Sequence, residues 1–134
     1  MTVETAFLLV LLVVPLFYLV ATLGRAQAGA YAVSAAAREA GRTFVTSPDV
    51  ESAAGRAVAA ADLVFTAHGF EKGEGTVSVA CDGGCLESGS RVVVSSEIVV
   101  PLPLIPDFMQ GSVPTSVALT SRHVEAVDAF REGR

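Results

Sequence analysis

The stretch TAFLLVLLVVPLFYLVATLG, residues 5–24, decides the architecture of this 134-residue chain. Its residues carry no charge, and a helix of that length measures about 30 Å, the thickness of the hydrocarbon core of a bilayer. Pro15 interrupts the run once, and a proline removes one helical hydrogen bond and kinks the axis, which membrane helices tolerate. The stretch therefore predicts a transmembrane N-terminal helix over residues 1–24, followed by a small domain over residues 25–134.

The helical pattern continues beyond the apolar run. Residues 25–45, RAQAGAYAVSAAAREAGRTFV, contain no proline and are rich in Ala, so one helix is expected from near residue 2 to about residue 45. Small residues recur at every fourth position in two rows: Gly24, Ala28, Ala32, Ala36 and Ala40, and Gly29, Val33, Ala37 and Gly41. Such rows allow helices to pack closely, although the helix propensity of Ala explains them equally well.

A second helix is expected over about residues 48–67. Thr46 or Ser47 is the predicted N-cap, and Pro48 suits the first turn. At helical spacing the apolar side chains share one face, which is expected to pack on the Ala-rich first helix: Val50, Ala54, Ala57, Ala61, Val64 and Phe65.

The pattern changes to alternation after Thr76. Three segments of alternating or β-branched residues, separated by Gly- and Pro-containing turns, predict antiparallel strands at about 76–81, 90–100 and 115–126. A polar tail, DAFREGR, follows the last strand. The expected fold class is α+β: a long N-terminal helix, a second helix and a small antiparallel sheet of three strands.

The charges and polar residues argue against two broad classes of function. Residues 25–134 hold all 9 basic residues and 13 of the 14 acidic ones, and a net charge of -4 argues against nucleic acid as a partner. The chain has no Gly-x-Ser-x-Gly elbow and no phosphate-binding glycine loop. His68 is expected at a helix end and His123 at a solvent-facing strand position. The sequence therefore predicts a protein without catalytic residues, metal ligands or cofactors.

Cys81 and Cys85 lie in the short loop ACDGGCLE, residues 80–87. A disulfide is expected if the domain lies outside the cytoplasm, since a transmembrane run followed by a cysteine pair favours an oxidising compartment. Two alternatives are a pair of free thiols and a metal site. The metal site would need further ligands, and only the two histidines, both distant in sequence, could assist.

Glu4 is the charge that precedes the apolar run, and no Lys or Arg occurs in the first 24 residues. One interpretation places its carboxylate, ionised, in the lipid headgroup region. In the other, the helix packs among copies of itself or its relatives in a dry environment. A carboxylate there needs a positive partner, and the best candidate is the free α-amino group of a neighbouring subunit.

The N-terminal segment TVETAFLLVLLVVPLFYLV, residues 2–20, resembles that of type IV pilin-like proteins, and most closely the TadE-like minor pilins of tight-adherence (Flp) systems. These commonly begin with a Glu ahead of an apolar helix that a Pro interrupts. The stretch AAREAGR, residues 36–42, and the closing VDAFREG, residues 127–133, also resemble that family. The matching N-terminal residues are Thr2, Val3, Glu4, Ala6 and Pro15, with Pro15 somewhat further from the Glu than usual.

The resemblance implies a non-catalytic structural subunit. A prepilin peptidase would cut after a glycine ahead of the helix, and the carboxylate of Glu4 would pair with the N-terminus of another subunit. The expected partners are other pilin-like subunits, the peptidase, an inner-membrane assembly platform and membrane lipid. As the sequence is written, no glycine or basic leader precedes Glu4. Either the true start lies upstream, or the subunit is not processed.

The sequence offers conflicting signals about the side of the membrane on which the body lies. Arg25, Arg38 and Arg42 follow the helix, which by the positive-inside rule favours a cytoplasmic body. The cysteine pair and the pilin pattern favour the opposite, and we expect a single-pass protein of the cytoplasmic membrane with an extracytoplasmic body. The alternatives are a signal peptide cut near residues 26–28, Ala-Gln-Ala, and a membrane-anchored protein whose body binds a partner without assembling into a pilus.

Overall fold

The structure is a computed structural model that describes residues 2–102 and 105–130. Its helices are α1, Val3–Val45, and α2, Val50–Ala67. Its strands are β1, Gly75–Asp82, β2, Arg91–Pro101, and β3, Ser116–Ala126, and a short 3-10 helix, Asp107–Met109, lies between β2 and β3. The α+β prediction is confirmed. The last residues of the VDAFREG ending lie outside the described residues.

Helix α1 is one continuous element of 43 residues, about 64 Å long at 1.5 Å per residue. It passes through Pro15 without a break in the helix, and the predicted kink stays a prediction. Nearly all side chains before Arg25 are exposed, whereas complete burial starts at Gly29. The second half of α1 is therefore the central helix of the folded body, and the first half extends away from it.

The N-terminus of α2 differs from the prediction. The N-cap is Asp49, whose side chain accepts a hydrogen bond from the backbone N–H of Ser52 at 2.8 Å. Thr46 and Ser47 instead donate their hydroxyls to Arg42 O and Thr43 O, at 2.8 and 2.7 Å. The Thr46 hydroxyl shares Arg42 O with the Thr46 backbone N–H, and the Ser47 hydroxyl bonds a carbonyl in the last turn of α1, so both hydroxyls belong to the first helix and not to the second.

The buried face of α2 is also narrower than predicted. Val50 and Ala54, expected inside, are exposed, and Val64 is half-buried. The buried residues form one row at a spacing of four: Ala53, Ala57, Ala61 and Phe65. The helix starts at Val50, two residues later than expected, and burial within it starts at Ala53.

The strands form one antiparallel sheet in the order β1-β2-β3. The inner face packs against α1 and α2, and in β2 every second side chain is buried there: Val92, Val94, Ser96, Ile98 and Val100. The register pairs Val94 with Val79 on one side and with His123 on the other. The outer face has no helix against it among the described residues.

The loop between β1 and β2 contributes one large side chain to this core. Leu86 is only 1% exposed, although its backbone has a φ of +63°, a region that is costly for a non-glycine residue. Burying a leucine side chain stabilises by about 1.5–3 kcal/mol, which offsets a strain of about 1–3 kcal/mol. The loop that carries the cysteines is thus held against the body by Leu86.

Candidate functional site

The apolar half of α1 is the most unusual surface of the molecule. Large side chains follow one another there without a partner in the folded body, and Leu12 is 70% exposed. In the described part of the chain, α1 is the one helix long and apolar enough to cross a membrane, with a mean hydropathy of 2.7 over its most apolar window. None of that window is buried inside the molecule. Exposed apolar surfaces of this size are typical of sites that contact lipid or other proteins.

Glu4 lies in the first turn of this exposed half. Its side chain is exposed, and within residues 2–102 and 105–130 it forms no ion pair. The neighbouring hydroxyls of Thr2 and Thr5 lie 3.0 Å apart and hydrogen-bond to each other. A carboxylate in the first turn complements the positive end of the helix dipole. Its geometry leaves the carboxylate accessible to a cation from another molecule.

Arg25 is the first residue after the apolar half of α1, and its side chain contacts the body. Its Nη1 donates to Gly69 O at 3.0 Å, its guanidinium lies 4.2 Å from the ring centroid of Phe70, and its Nη2 lies 4.0 Å from a carboxylate oxygen of Glu74. These contacts join α1 to the turn that follows α2. The body therefore begins directly where the uncharged run ends.

A second surface lies beside the apolar half, on the connection between β2 and β3. We call residue 102 and residues 105–115 the β2–β3 lobe; residues 103–104 lie outside the described residues. Between this lobe and α1 runs an open groove of about 820 Å³. Its walls are almost wholly apolar, and they are formed by Val13, Val14, Pro15, Phe17, Tyr18 and Ala21 of α1 and by Leu102, Ile105, Pro106, Met109, Val113 and Pro114 of the lobe.

The small-residue rows of α1 lie inside the body. Ala32, Ala36 and Ala40 are fully buried, and Ala28 is partly buried at the edge of the core. The second row faces the sheet: a Cβ on Gly29 would lie 2.7 Å from Leu119 Cδ1, and one on Gly41 would lie 3.3 Å from the Cβ of Glu125. The rows thus serve packing within the chain, against α2 and the sheet.

Cys81 and Cys85 lie at disulfide distance at the end of β1. Their Cα atoms are 5.3 Å apart, and the structure joins the two sulfurs in a bond. Both side chains pack at the edge of the hydrophobic core. In the described residues no group of three or more His, Cys, Asp or Glu is arranged to hold a metal ion.

The two histidines occupy different environments. His68 is the C-cap of α2, as predicted, and its Nδ1–H donates to Val64 O at 2.8 Å. His123 was expected to face solvent, and that prediction is wrong. It lies on the inner face of β3, with its ring beside Gly41 and its Nε2 2.9 Å from a carboxylate oxygen of Glu125. His123 pairs with the buried Val94 of β2, and directly opposite residues share a face of the sheet, so His123 lies on the inner side.

The outer face of the sheet offers a third surface. A shallow depression of about 490 Å³ lies on it, lined largely by hydroxyl-bearing and charged side chains, among them Ser78, Ser95, Glu97, Thr120 and Arg122. The imidazole of His123, which pairs with Glu125, lies on the opposite face of the same strand.

Fold and surfaces define a class: a small α+β body built around the second half of a helix whose first half could span a membrane. Comparisons with protein-family models, with characterised proteins and with solved structures found no match. The functional assignment therefore depends on the geometry described above and on the sequence resemblance of the N-terminal segment.

Proposed function

We propose that this chain is a TadE-like, type IV pilin-like structural subunit. The first half of α1 anchors it in the cytoplasmic membrane as a single-pass helix. The body lies outside the cytoplasm, and the subunit is incorporated into, or associates with, a surface pilus or a secretion apparatus. Its partners are other pilin-like subunits, a prepilin peptidase and an inner-membrane assembly platform.

One observation carries the proposal: the second half of α1 forms the core of the body, while the apolar half of α1 is exposed and has a carboxylate in its first turn. A helix used only as an anchor would need no acidic residue there. If the apolar half of α1 leaves lipid and packs among the same helices of other subunits, the carboxylate of Glu4 loses its water and requires a cation. The α-amino group of a neighbouring subunit provides that cation.

The cysteines and the contacts of Arg25 support the proposed topology. A Cys81–Cys85 disulfide persists in an oxidising compartment. Arg25 counts toward a cytoplasmic body under the positive-inside rule, but its guanidinium is engaged by Gly69, Phe70 and Glu74. A cation held by the folded body has a structural role, which weakens its use as a topology signal.

The test substitutes the carboxylate alone. Glu4→Gln in the full chain keeps the shape of the side chain and removes its charge. We expect the variant to stay in the membrane fraction and its amount in sheared surface fractions to fall roughly tenfold or more, since losing one partner of a buried charge pair costs about 2–5 kcal/mol. Immunoblots of both fractions from the native host measure the effect.

Glu39→Gln is the matched control, because Glu39 is an exposed residue on the same helix, within the body. It should leave both fractions at wild-type levels. Glu4→Gln in the sheared fraction at the wild-type level would exclude the pairing of Glu4. Equal losses from both variants would exclude a specific role for the N-terminal carboxylate.

A second candidate function is a membrane-anchored protein whose body binds a partner protein without assembling. The uncovered outer face of the sheet, with its depression beside Ser95 and Thr120, favours it. Under this alternative the wild-type chain is absent from sheared fractions, and Glu4→Gln changes nothing. Ser95→Arg would then abolish partner binding, because a long charged side chain would fill the depression.

A further inference from the structure

The β2–β3 lobe lies beside the part of α1 that is most apolar. The groove between them reaches along α1 from Ala21 to Val13. Val13 is twelve residues before Arg25, a distance of about 18 Å along a helix. The lobe therefore extends below the base of the body, where Arg25 contacts Gly69 and Phe70, toward the N-terminal end of α1.

This position restricts what can surround the lobe. If residues 13–21 of α1 lie in the hydrocarbon of a bilayer, a segment that contacts them lies at the same depth. The walls of the open groove between the two are almost wholly apolar, which suits acyl chains better than water. The lobe is thus continuous with the membrane-spanning surface, and the medium around the helix is also the medium around the lobe.

The chemistry of the lobe fits such a medium. The lobe residues, Leu102 and 105–115, include two prolines, Pro106 and Pro114, which have no N–H to satisfy, and a single charge, Asp107. Several of the other N–H groups bond within the lobe: Leu102 N–H to Thr115 O at 2.9 Å, Met109 N–H to Pro106 O at 2.9 Å and Ser112 N–H to Met109 O at 2.9 Å. Backbone donors satisfied internally are what a low-polarity environment requires.

We propose that the β2–β3 lobe inserts into the outer leaflet beside α1, with Phe108 among the lipid acyl chains. Phe108 is 84% exposed, so the body leaves most of this large apolar side chain unburied. The inference rests on the proposed membrane anchor, and it adds a second point of lipid contact. The body is then held against the membrane surface in one orientation instead of rotating freely about a single helix.

Asp107 limits the depth of insertion. Its Oδ1 accepts a hydrogen bond from Gln110 Nε2 at 2.9 Å, which satisfies part of the carboxylate without water. A charged group is costly in hydrocarbon and is tolerated at the headgroup boundary, where interfacial segments bury their apolar faces by about 5–10 Å. Asp107 therefore lies at that boundary, and Phe108, Ile105 and Met109 lie below it.

The chain contains no tryptophan, so a single introduced tryptophan reports one position without a background signal. Three full-chain variants are reconstituted into phosphatidylcholine vesicles with brominated acyl chains: Phe108→Trp, Leu12→Trp in the apolar half of α1, and Val124→Trp on the outer face of the distal sheet. Circular dichroism confirms that each variant retains the wild-type helix content. Bromine quenches tryptophan emission at short range, so the quenching measures lipid contact directly.

We expect Phe108→Trp to be quenched comparably to Leu12→Trp, with blue-shifted emission, and several-fold more than Val124→Trp. If Leu12→Trp is quenched and Phe108→Trp behaves as Val124→Trp does, the lobe is in water, and the inference fails while the anchor stands. Blue-shifted but unquenched emission at position 108 means that a second copy covers the lobe, and it also overturns lipid insertion. An unquenched Leu12→Trp would overturn the membrane anchor together with the inference.

Discussion

The two halves of α1 have the same helical backbone and opposite surroundings. From Gly29 to Phe44 the residues of the helix that are buried in the body are mostly Ala and Gly, whereas from Val3 to Leu23 the helix exposes Leu, Val and Phe. Small residues are buried because the sheet and α2 approach closely. Large apolar residues are exposed because nothing in the described chain covers them. The hydrophobic effect therefore stabilises the second half within the chain and leaves the first half to an external medium.

This difference determines which surfaces of α1 would be available if the chain assembles as proposed. The rows of small residues in α1 resemble a helix-packing motif, but Ala32, Ala36 and Ala40 are fully buried in the body. If subunits pack through α1, the surfaces available to them are the part before Arg25 and the exposed side of the second half, where Tyr31 is 71% exposed. A neighbour could reach the buried rows only if the body unfolded.

The same substitution in the two regions should have different consequences. Leu86→Ala removes a side chain that is 1% exposed, and we expect the free energy of unfolding of the body to fall by about 3 kcal/mol. Leu12→Ala removes an equal side chain from the exposed half and should change it by less than about 0.5 kcal/mol. Chemical denaturation of the full chain in detergent micelles, followed by circular dichroism, compares them. Equal losses would mean that the apolar half packs on the body.

A smaller effect is expected from adding volume to the second half of α1. Ala36→Leu forces a larger side chain into a site without exposed area and should destabilise the body by about 1–3 kcal/mol. Ala30→Leu is the matched control, because Ala30 is exposed on the same helix. The same denaturation measures both. A neutral Ala36→Leu would indicate that the row faces a space able to accept another helix.

The cysteine pair tests in which compartment the body folds. Protein from the native host should take up alkylating reagent at Cys81 and Cys85 only after reduction, measured by mass spectrometry. Replacing both by Ser should cost about 2 kcal/mol, because the bond closes a loop of few residues and constrains the unfolded chain little. Full alkylation without reductant would place the thiols in a reducing environment and contradict an extracytoplasmic body.

Much of the fold could be predicted because its signals are local. The uncharged run and the Ala-rich continuation predict one helix to Val45, and the structure ends α1 there. The strands begin and end within one or two residues of the expected positions. The errors fall where local patterns compete. Thr46 and Ser47 are good caps for a following helix, yet their hydroxyls serve the end of the preceding one, and Asp49 takes the cap.

The candidate site was less accessible from the sequence because its parts are distant along the chain. The stretch PLPLIPDFMQGSVP is visibly rich in proline and poor in charge, but its position beside Pro15 depends on how β2 and β3 lie along α1. Which side of β3 faces inward also depends on tertiary packing. Its inward residues, Leu119, Ser121 and His123, are mostly polar and only half-buried, so the sequence of β3 does not show which side is inside. Glu4, by contrast, was evident because a charge stands out beside an apolar run.

The smallest expected effect is a loss of stability of the body at low pH, through Asp49 at the start of α2. The backbone N–H of Ser52 donates to the Asp49 carboxylate at 2.8 Å and, with the Ser52 hydroxyl and Arg56 nearby, lowers the pKa of Asp49 below its usual value. A carboxyl group with a lowered pKa stabilises the folded state above its unfolded-state pKa of about 3.9, and this contribution is lost as the pH falls through the lower folded value.

Thermal unfolding of the body, measured from neutral pH down to pH of about 3, should therefore show an acid-induced decrease that is smaller in Asp49→Asn. Asparagine keeps an oxygen that accepts from Ser52 but carries no charge, so the cap remains and its pH dependence disappears. Asp62→Asn, in the same helix but away from the cap, controls for the change in net charge. An acid profile unchanged by Asp49→Asn would mean that the cap contributes through its hydrogen bond alone. The apolar half of α1, which carries no charge from residue 5 to residue 24, should stay helical over the whole pH range.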